Sequence, residues 1–391
     1  MPNRRPDRAG AAGSILLVAN YESDVGYAWW LMERFWALIA AAASEQGRNC
    51  LLVYPVLRTI PDVVARASLE IVEFRFTYRS WGDLWQGLRF IRQHGITSVY
   101  LTDWPYFHPA YALWRCAGVR RIVIHDHSPG DRPPLTGVRA WAKDVLQRTR
   151  LFAATHYVAV SPYIQQRLRE NCRVPASRCV TVTNGITPLI CAADRRPDVR
   201  RRLSLDDNAI VIVLVSRATW YKNLDFAVRC VARLLDDPAI GHAVQAIHCG
   251  DGPDLESFRE LAGQLGIADR FRFLGRRDDV REILCASDIA FHPSHGEAMS
   301  LAILEFMSAG LAVLTSDLPS VSTAIETGQT GMTYERDNEA SAVAALRRLI
   351  VEPDSRASMG AAAAEAVRRD FTQETMDRAF LDRVIPLLSD R

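Results

Sequence analysis

A chain of 391 residues is too long for one ordinary hydrophobic core and fits two domains. Its 49% apolar and 24% charged residues rule out a disordered segment, and no apolar run approaches the roughly 20 residues of a spanning helix. The net charge of +2 gives no nucleic-acid footprint, but it hides an asymmetry. Residues 1–190 hold 23 Lys and Arg against 14 Asp and Glu, a net +9, whereas residues 191–391 hold 24 against 31, a net −7.

Met1 to Ser14 is basic and polar, and the apolar run behind it, Ile15 to Ala19, is too short for a signal-peptide core, so a cytoplasmic product is expected. The eight cysteines, Cys50, Cys116, Cys172, Cys179, Cys191, Cys230, Cys249 and Cys285, form no CxxC pair. Reduced thiols are expected in place of a disulfide framework or a zinc site. In chain order, strand patterns at Ser14 to Ala19, Cys50 to Pro55 and Leu69 to Phe74 surround a helix at Trp29 to Ala43. That helix crowds Trp29, Trp30, Phe35 and Trp36, which a core explains better than a membrane. Further strands read at Ser98 to Thr102, Arg121 to His125, Tyr157 to Ser161 and Val180 to Val182, with a helix at Pro162 to Glu170. Alternation of this kind predicts a doubly wound parallel sheet.

Thr187 to Pro197 has no period and reads as a linker. A second alternating series follows: strands at Ile210 to Ser216, Ala243 to Cys249, Phe271 to Leu274, Ile289 to His292 and Ala312 to Ser316, with helices at Leu224 to Leu235 and Leu255 to Leu265. The fold class is α/β with two Rossmann-like domains. No G-x-G-x-x-G follows the first strand of either half, which disfavours a dinucleotide-dependent dehydrogenase.

The segment from Gly296 to Gly310 carries the strongest chemical signal. Ser300 suits an N-cap and Gly310 a C-terminal stop, so Leu301 to Ala309 should be a short helix behind a loop holding Glu297. Apart from Glu305 and Ser308 that helix is apolar all round, hence buried, and a buried carboxylate needs a cation or ligand hydroxyls. The free N–H groups at the helix N-terminus, Ser300 and Leu301, make a ready site for a diphosphate, with Met299 beside them as a further donor-binding candidate. Glu297 and Glu305, following Pro293-Ser294, resemble the E-x7-E motif of the family 4 glycosyltransferases. The resemblance implies the GT-B arrangement, two Rossmann-like domains facing a cleft, with Glu297 on donor-sugar hydroxyls and Glu305 on the ribose.

Arg217 and Lys222 resemble the same family's Gly-Arg-x4-Lys segment, with Ser216 in place of the glycine, and imply neutralisation of a leaving diphosphate. Gly250 and Gly252, then Leu274 and Gly275, match the family's order and stand either as donor contacts or as ordinary turns. Ser320 and Thr323 depart from it, as do Ala298 and Ser300. In the first half Gly26 stands where the family has phosphate-facing glycines. His125, ahead of His127 in Ile124-His125-Asp126-His127, matches the histidine that reaches the reacting sugar, although a His beside an Asp equally makes a structural pair. Asp103, Trp104 and His127 are acceptor-side candidates, aromatic faces being suited to sugar rings.

The resemblance implies domains at 1–189 and 190–370, with 371–391 crossing back to the first as a closing helix. It implies transfer of a sugar from a nucleotide-diphosphate donor to an acceptor hydroxyl, retaining and without a metal. No cofactor is expected beyond that co-substrate. A sugar-nucleotide epimerase and a non-catalytic sugar-nucleotide-binding protein remain alternatives. The acceptor stays open among glycan, lipid-linked and small-molecule compounds, and so does peripheral contact of the cationic half with the inner face of an anionic membrane.

Overall fold

The computed structural model describes residues 13–25, 29–130 and 136–389. The chain divides into two compact units, one built from residues 13–128, 136–182 and 377–389, the other from residues 183–376 with the stretch 129–130. Each is organised on one parallel sheet.

In the first unit the elements run β1 (Ser14–Val18), α1 (Trp30–Glu45), β2 (Cys50–Tyr54), α2 (Asp62–Ala65), β3 (Glu70–Glu73), α3 (Trp81–Gln93), β4 (Ile96–Thr102), α4 (Pro109–Cys116), β5 (Arg121–Asp126), α5 (Gly137–Arg148), β6 (His156–Ala159), α6 (Pro162–Glu170) and β7 (Cys179–Thr181). The strand order is β3-β2-β1-β4-β5-β6-β7. β1 to β3 step one way along the sheet and β4 to β7 the other. Right-handed crossovers therefore lay α1 and α2 on one face and α3 to α6 on the opposite one. Phe35 and Trp36 of α1 have no exposed surface, so the aromatic crowding of that helix is core.

The second unit runs α7 (Arg196–Arg202), β8 (Ile210–Val215), α8 (Leu224–Leu235), β9 (Val244–Cys249), α9 (Leu255–Gln264), β10 (Phe271–Phe273), α10 (Val280–Cys285), β11 (Ile289–His292), α11 (Leu301–Ser308), β12 (Ala312–Ser316), β13 (Gly331–Tyr334), α12 (Glu339–Val351) and α13 (Pro353–Asp370). Its strand order, β10-β9-β8-β11-β12-β13, repeats the pattern of the first sheet. In both, strand order reverses beside the first strand, and the crevice beyond the carboxyl ends of the strands at that reversal is where such sheets bind ligands. Ile212, Leu214, Phe226, Val231, Phe291 and Leu346 belong to one buried cluster that fixes the second sheet beneath its helices.

After α13 come α14 (Gln373–Arg383) and α15 (Ile385–Leu388). From Asp377 onward this segment belongs to the first unit. There Phe380 and Val384 are fully buried, Phe35 stacks on Phe380 at 4.4 Å, and Arg34 Nε donates to Asp377 Oδ1 at 2.8 Å.

Two expectations are corrected. Cys191 and Cys285 form a disulfide across 94 residues, where reduced thiols were expected, because the fold brings the segment after Leu189 onto the end of α10, a proximity that Cys spacing cannot show. The stretch read as a linker is also fastened down. Besides the disulfide, Leu189 N–H donates to Ser308 Oγ at 2.7 Å, Arg281 holds the carbonyls of Thr187 and Pro188, and α7 begins within it at Arg196.

Candidate active site

The second unit's reversal point lies between β8 and β11, and the loops leaving those strands carry the charged groups. Beyond β8 the chain turns through Trp220–Lys222 to Asn223, whose left-handed φ of 56° bends it into α8. Asn223 Nδ2 donates to the Pro293 carbonyl at 3.2 Å and His295 N–H to the Tyr221 carbonyl at 3.1 Å, which ties this turn to the loop after β11. Across that seam Lys222 Nζ meets Glu297 Oε1 at 2.6 Å. His292, the last residue of β11, brings Nε2 to the same oxygen at 2.9 Å, and since a carboxylate only accepts, the ring donates. Burial alone would raise the Glu297 carboxyl, but the Lys222 charge and the His292 hydrogen bond outweigh it and hold the group at about 2. Both bonds fall on Oε1, which leaves Oε2 without a partner among the described residues.

Ser300 caps α11, its Oγ accepting from Ile303 N–H at 3.4 Å, so the N–H groups of Leu301 and Ala302 have no intrahelical acceptor. Met299 is buried, and its carbonyl accepts from Asn184 Nδ2 at 3.1 Å. The carboxylate of Glu305, one turn into the helix, makes no hydrogen bond or ion pair among the described residues. Burial pushes its carboxyl up, and the positive charge of Arg281 opposes this. Arg217 is exposed and likewise forms no ion pair among the described residues. Gly250 and Gly252 have a packing explanation: a Cβ on Gly250 would stand 1.8 Å from the Ser216 carbonyl oxygen, and one on Gly252 2.3 Å from that of Ala218. Leu274 N–H donates to the His248 carbonyl and Gly250 N–H to that of Gly275, each at 2.8 Å, which joins the loops after β9 and β10.

In the first unit the corresponding point lies between β1 and β4. A cavity of about 490 Å³ opens there, lined among others by Asn20, Tyr21, Arg75, Tyr78, Asp103 and Trp104. Tyr78 meets Trp104 edge-on at 5.1 Å. Asp103 adopts a left-handed φ of 56°, accepts from His127 N–H at 2.7 Å and from Ser128 Oγ at 3.1 Å. Burial of its carboxyl, then the Asp126 charge, push it up to about 6, although the residue as a whole is exposed to solvent, which weakens that rise.

His125 is corrected in its placement. It stands near the end of β5, but its ring enters the core below α1 and α14, with Phe35 5.0 Å away and no exposed surface, so it touches no ligand in this conformation. Its Nδ1 meets Tyr100 Oη at 2.5 Å, and burial, then the neighbouring His127, drive its pKa well down. His127 lies against it at 4.2 Å and keeps part of its surface open. Neither ring bonds Asp126, which binds Arg167 at 2.9 Å and Tyr106 at 2.5 Å in a buried cluster. Gly26 lies outside the described residues. Sequence reasoning passed over His292, whose only signal is a polar residue closing an apolar strand, as well as Asn184 and Arg281, which carry none.

Residues 195–366 match the family model described as glycosyl transferases group 1, and residues 29–188 match glycosyltransferase family 4. The chain belongs to the family 4 glycosyltransferases. It is 31% identical over 255 residues to the D-inositol 3-phosphate glycosyltransferase of Geodermatophilus obscurus, covering 63% of this chain and 54% of that one. The chain thus spans about half the length of the curated relatives it matches first. Among solved structures, a glycosyltransferase from Rickettsia africae superposes with a TM-score of 0.76 at 16% identity, covering 97% of this chain and all of that one. HepE of Anabaena in complex with UDP follows at 0.69 and 16%, covering 94% and 98%. These likenesses establish the GT-B fold.

Proposed function

We propose that this chain transfers a sugar from a nucleoside-diphosphate donor, with UDP the first nucleotide to try, to an acceptor hydroxyl, retaining the anomeric configuration and needing no metal. Family membership supports transfer and retention, and the UDP complex of HepE supports the choice of nucleotide. The observation that carries the reading is the pair of unused carboxylate positions at one reversal point: Glu297 Oε2, and Glu305 as a whole. Acceptors without protein partners on a half-buried surface suit the hydroxyls of a sugar and a ribose.

Lys222 keeps two donors beyond the one on Glu297, Arg217 is uncommitted, and the first turn of α11 offers N–H groups. Together they would stabilise the departing diphosphate. The bond from the anomeric carbon to the phosphate oxygen breaks, a bond to the acceptor oxygen forms on the same face, and the acceptor proton passes to the leaving phosphate. Among the described residues no group of three His, Cys, Asp or Glu side chains is placed to hold a metal ion. On the acceptor side, the cavity holding Tyr78, Asp103 and Trp104 is the proposed seat of the acceptor ring.

Calorimetry of the full chain with UDP, GDP and ADP tests donor binding. Proton NMR of the product formed with and without EDTA tests retention and metal independence. An inverted anomeric proton, or turnover abolished by EDTA and restored by a divalent ion, would overturn those two points separately.

A further inference from the structure

We infer that the α3 to α6 face of the first unit docks on an anionic lipid surface. The inference is independent of the proposed catalytic activity. The positive excess of the first half is not evenly spread: residues 75–178 hold 16 Lys and Arg against 6 Asp and Glu, whereas residues 1–74 hold 7 against 8. That basic segment supplies α3, α4, α5 and α6, the four helices that right-handed crossovers place on one face of the sheet.

This layer also turns four large apolar side chains of α3 and α5 well outward. On α3 Trp81 is 79% exposed and Trp85 66%, and on α5 Val138 is 80% and Trp141 68% exposed. At about 100° per residue, Trp81, Trp85 and Arg92 fall within about 40° of one another around α3, with Arg89 about 40° beyond. Val138, Trp141 and Val145 likewise share one stripe of α5. On α3 itself Arg89 and Arg92 form no ion pair among the described residues, and the one carboxylate of the helix, Asp83, is spent on its capping box with Ser80.

Tryptophans standing out of a helix beside uncommitted guanidiniums match a headgroup layer, which receives an indole at the acyl boundary and a guanidinium at the phosphates. A polyanionic glycan would fit the charge, but sugar platforms lie in clefts lined with hydrogen-bonding groups, and these rings stand on the convex side of a helix. No described helix is long and apolar enough to cross a membrane, so the contact is peripheral.

Sedimentation of the full chain with vesicles of phosphatidylcholine alone, and of phosphatidylcholine with phosphatidylglycerol, tests the inference. Binding is expected only to the anionic vesicles, weakening as salt rises, with a blue shift of tryptophan emission. Trp81→Ser with Trp85→Ser, and Arg89→Glu with Arg92→Glu, should each weaken binding by on the order of tenfold while thermal melting shows an intact fold. Arg368→Glu with Arg369→Glu, in the second unit, should leave it unchanged. Failure to bind anionic vesicles, equal loss in the control, undiminished binding by both α3 variants, or binding of a soluble sulfated polysaccharide in place of vesicles would each overturn the inference.

Discussion

Lys222 and Glu297, 75 residues apart, meet at 2.6 Å and thereby join the turn after β8 to the loop after β11. Each side chain is mostly shielded, at 22% and 12% exposure, so removing one partner leaves the other poorly solvated. Lys222→Met should cost about 1–3 kcal/mol in chemical denaturation, discounted for that residual exposure. The Glu297 carboxyl lies below its usual 4.5, at about 2. Its contribution is therefore complete above about pH 4.5 and is lost as pH falls toward 2. The stability difference between the wild type and Glu297→Gln should shrink over that window, and a difference that stays constant through it would show that the pair does not hold the carboxyl down.

The Glu305 carboxyl is held up by burial with no partner among the described residues, so it costs stability that a ligand would return. Glu305→Gln should melt at the same temperature as the wild type or higher, while losing about 1–3 kcal/mol of affinity for UDP in calorimetry. Unchanged affinity would make Glu305 a structural residue.

Breaking the bond between Cys191 and Cys285 releases a loop of 94 residues, for which chain entropy sets a ceiling of about 4.7 kcal/mol and the usual stabilisation is about 2–4 kcal/mol. Thermal melting with and without reductant, and of Cys191→Ser, should show that loss. Identical melting in all three would mean that the thiols are not joined in solution.

The two histidines separate by burial. His125→Ala empties a site in the core and should lower the stability of the first unit by about 2–4 kcal/mol, with any loss of turnover following from displacement of His127. His127→Ala should cost less stability than His125→Ala and slow turnover by on the order of 10²-fold, if the part of the residue left open meets the reacting sugar. Normal turnover in His127→Ala would exclude that contact, and measuring kcat beside the melting temperature distinguishes the cases.

The sheets were the most legible part of the sequence because their strands are continuous apolar runs, and the five strands expected in the second unit match β8 to β12 to within about one residue, whereas β13 went unread. α3, α4 and α5 went unread. In α3 the outward tryptophans and two internal glycines spoil the three-to-four-residue apolar spacing that marks a helix, so the features that give the face its character hid the element. The Glu297 loop and the α11 cap were readable from Ser300, Gly310 and the spacing of the two glutamates. His125 was misjudged because strand-end position says where a residue stops along the sheet, whereas α1 and α14 decide which of its faces is sealed. The disulfide depended on a meeting of residues far apart in the chain, which no local pattern encodes.

The return of α14 and α15 to the first unit has a consequence for the order of synthesis. Phe380, Val384 and Leu388 are buried there, and the Leu388 carbonyl accepts from Arg48 Nη1 at 2.6 Å and from Ser98 Oγ at 2.8 Å. On the ribosome the half translated first therefore waits, its groove between α1 and the sheet uncovered, until residues 377–389 emerge, while the half translated second already has its own strands. The first unit is the last to be completed, and a fragment cut after Val182 would carry that groove permanently open.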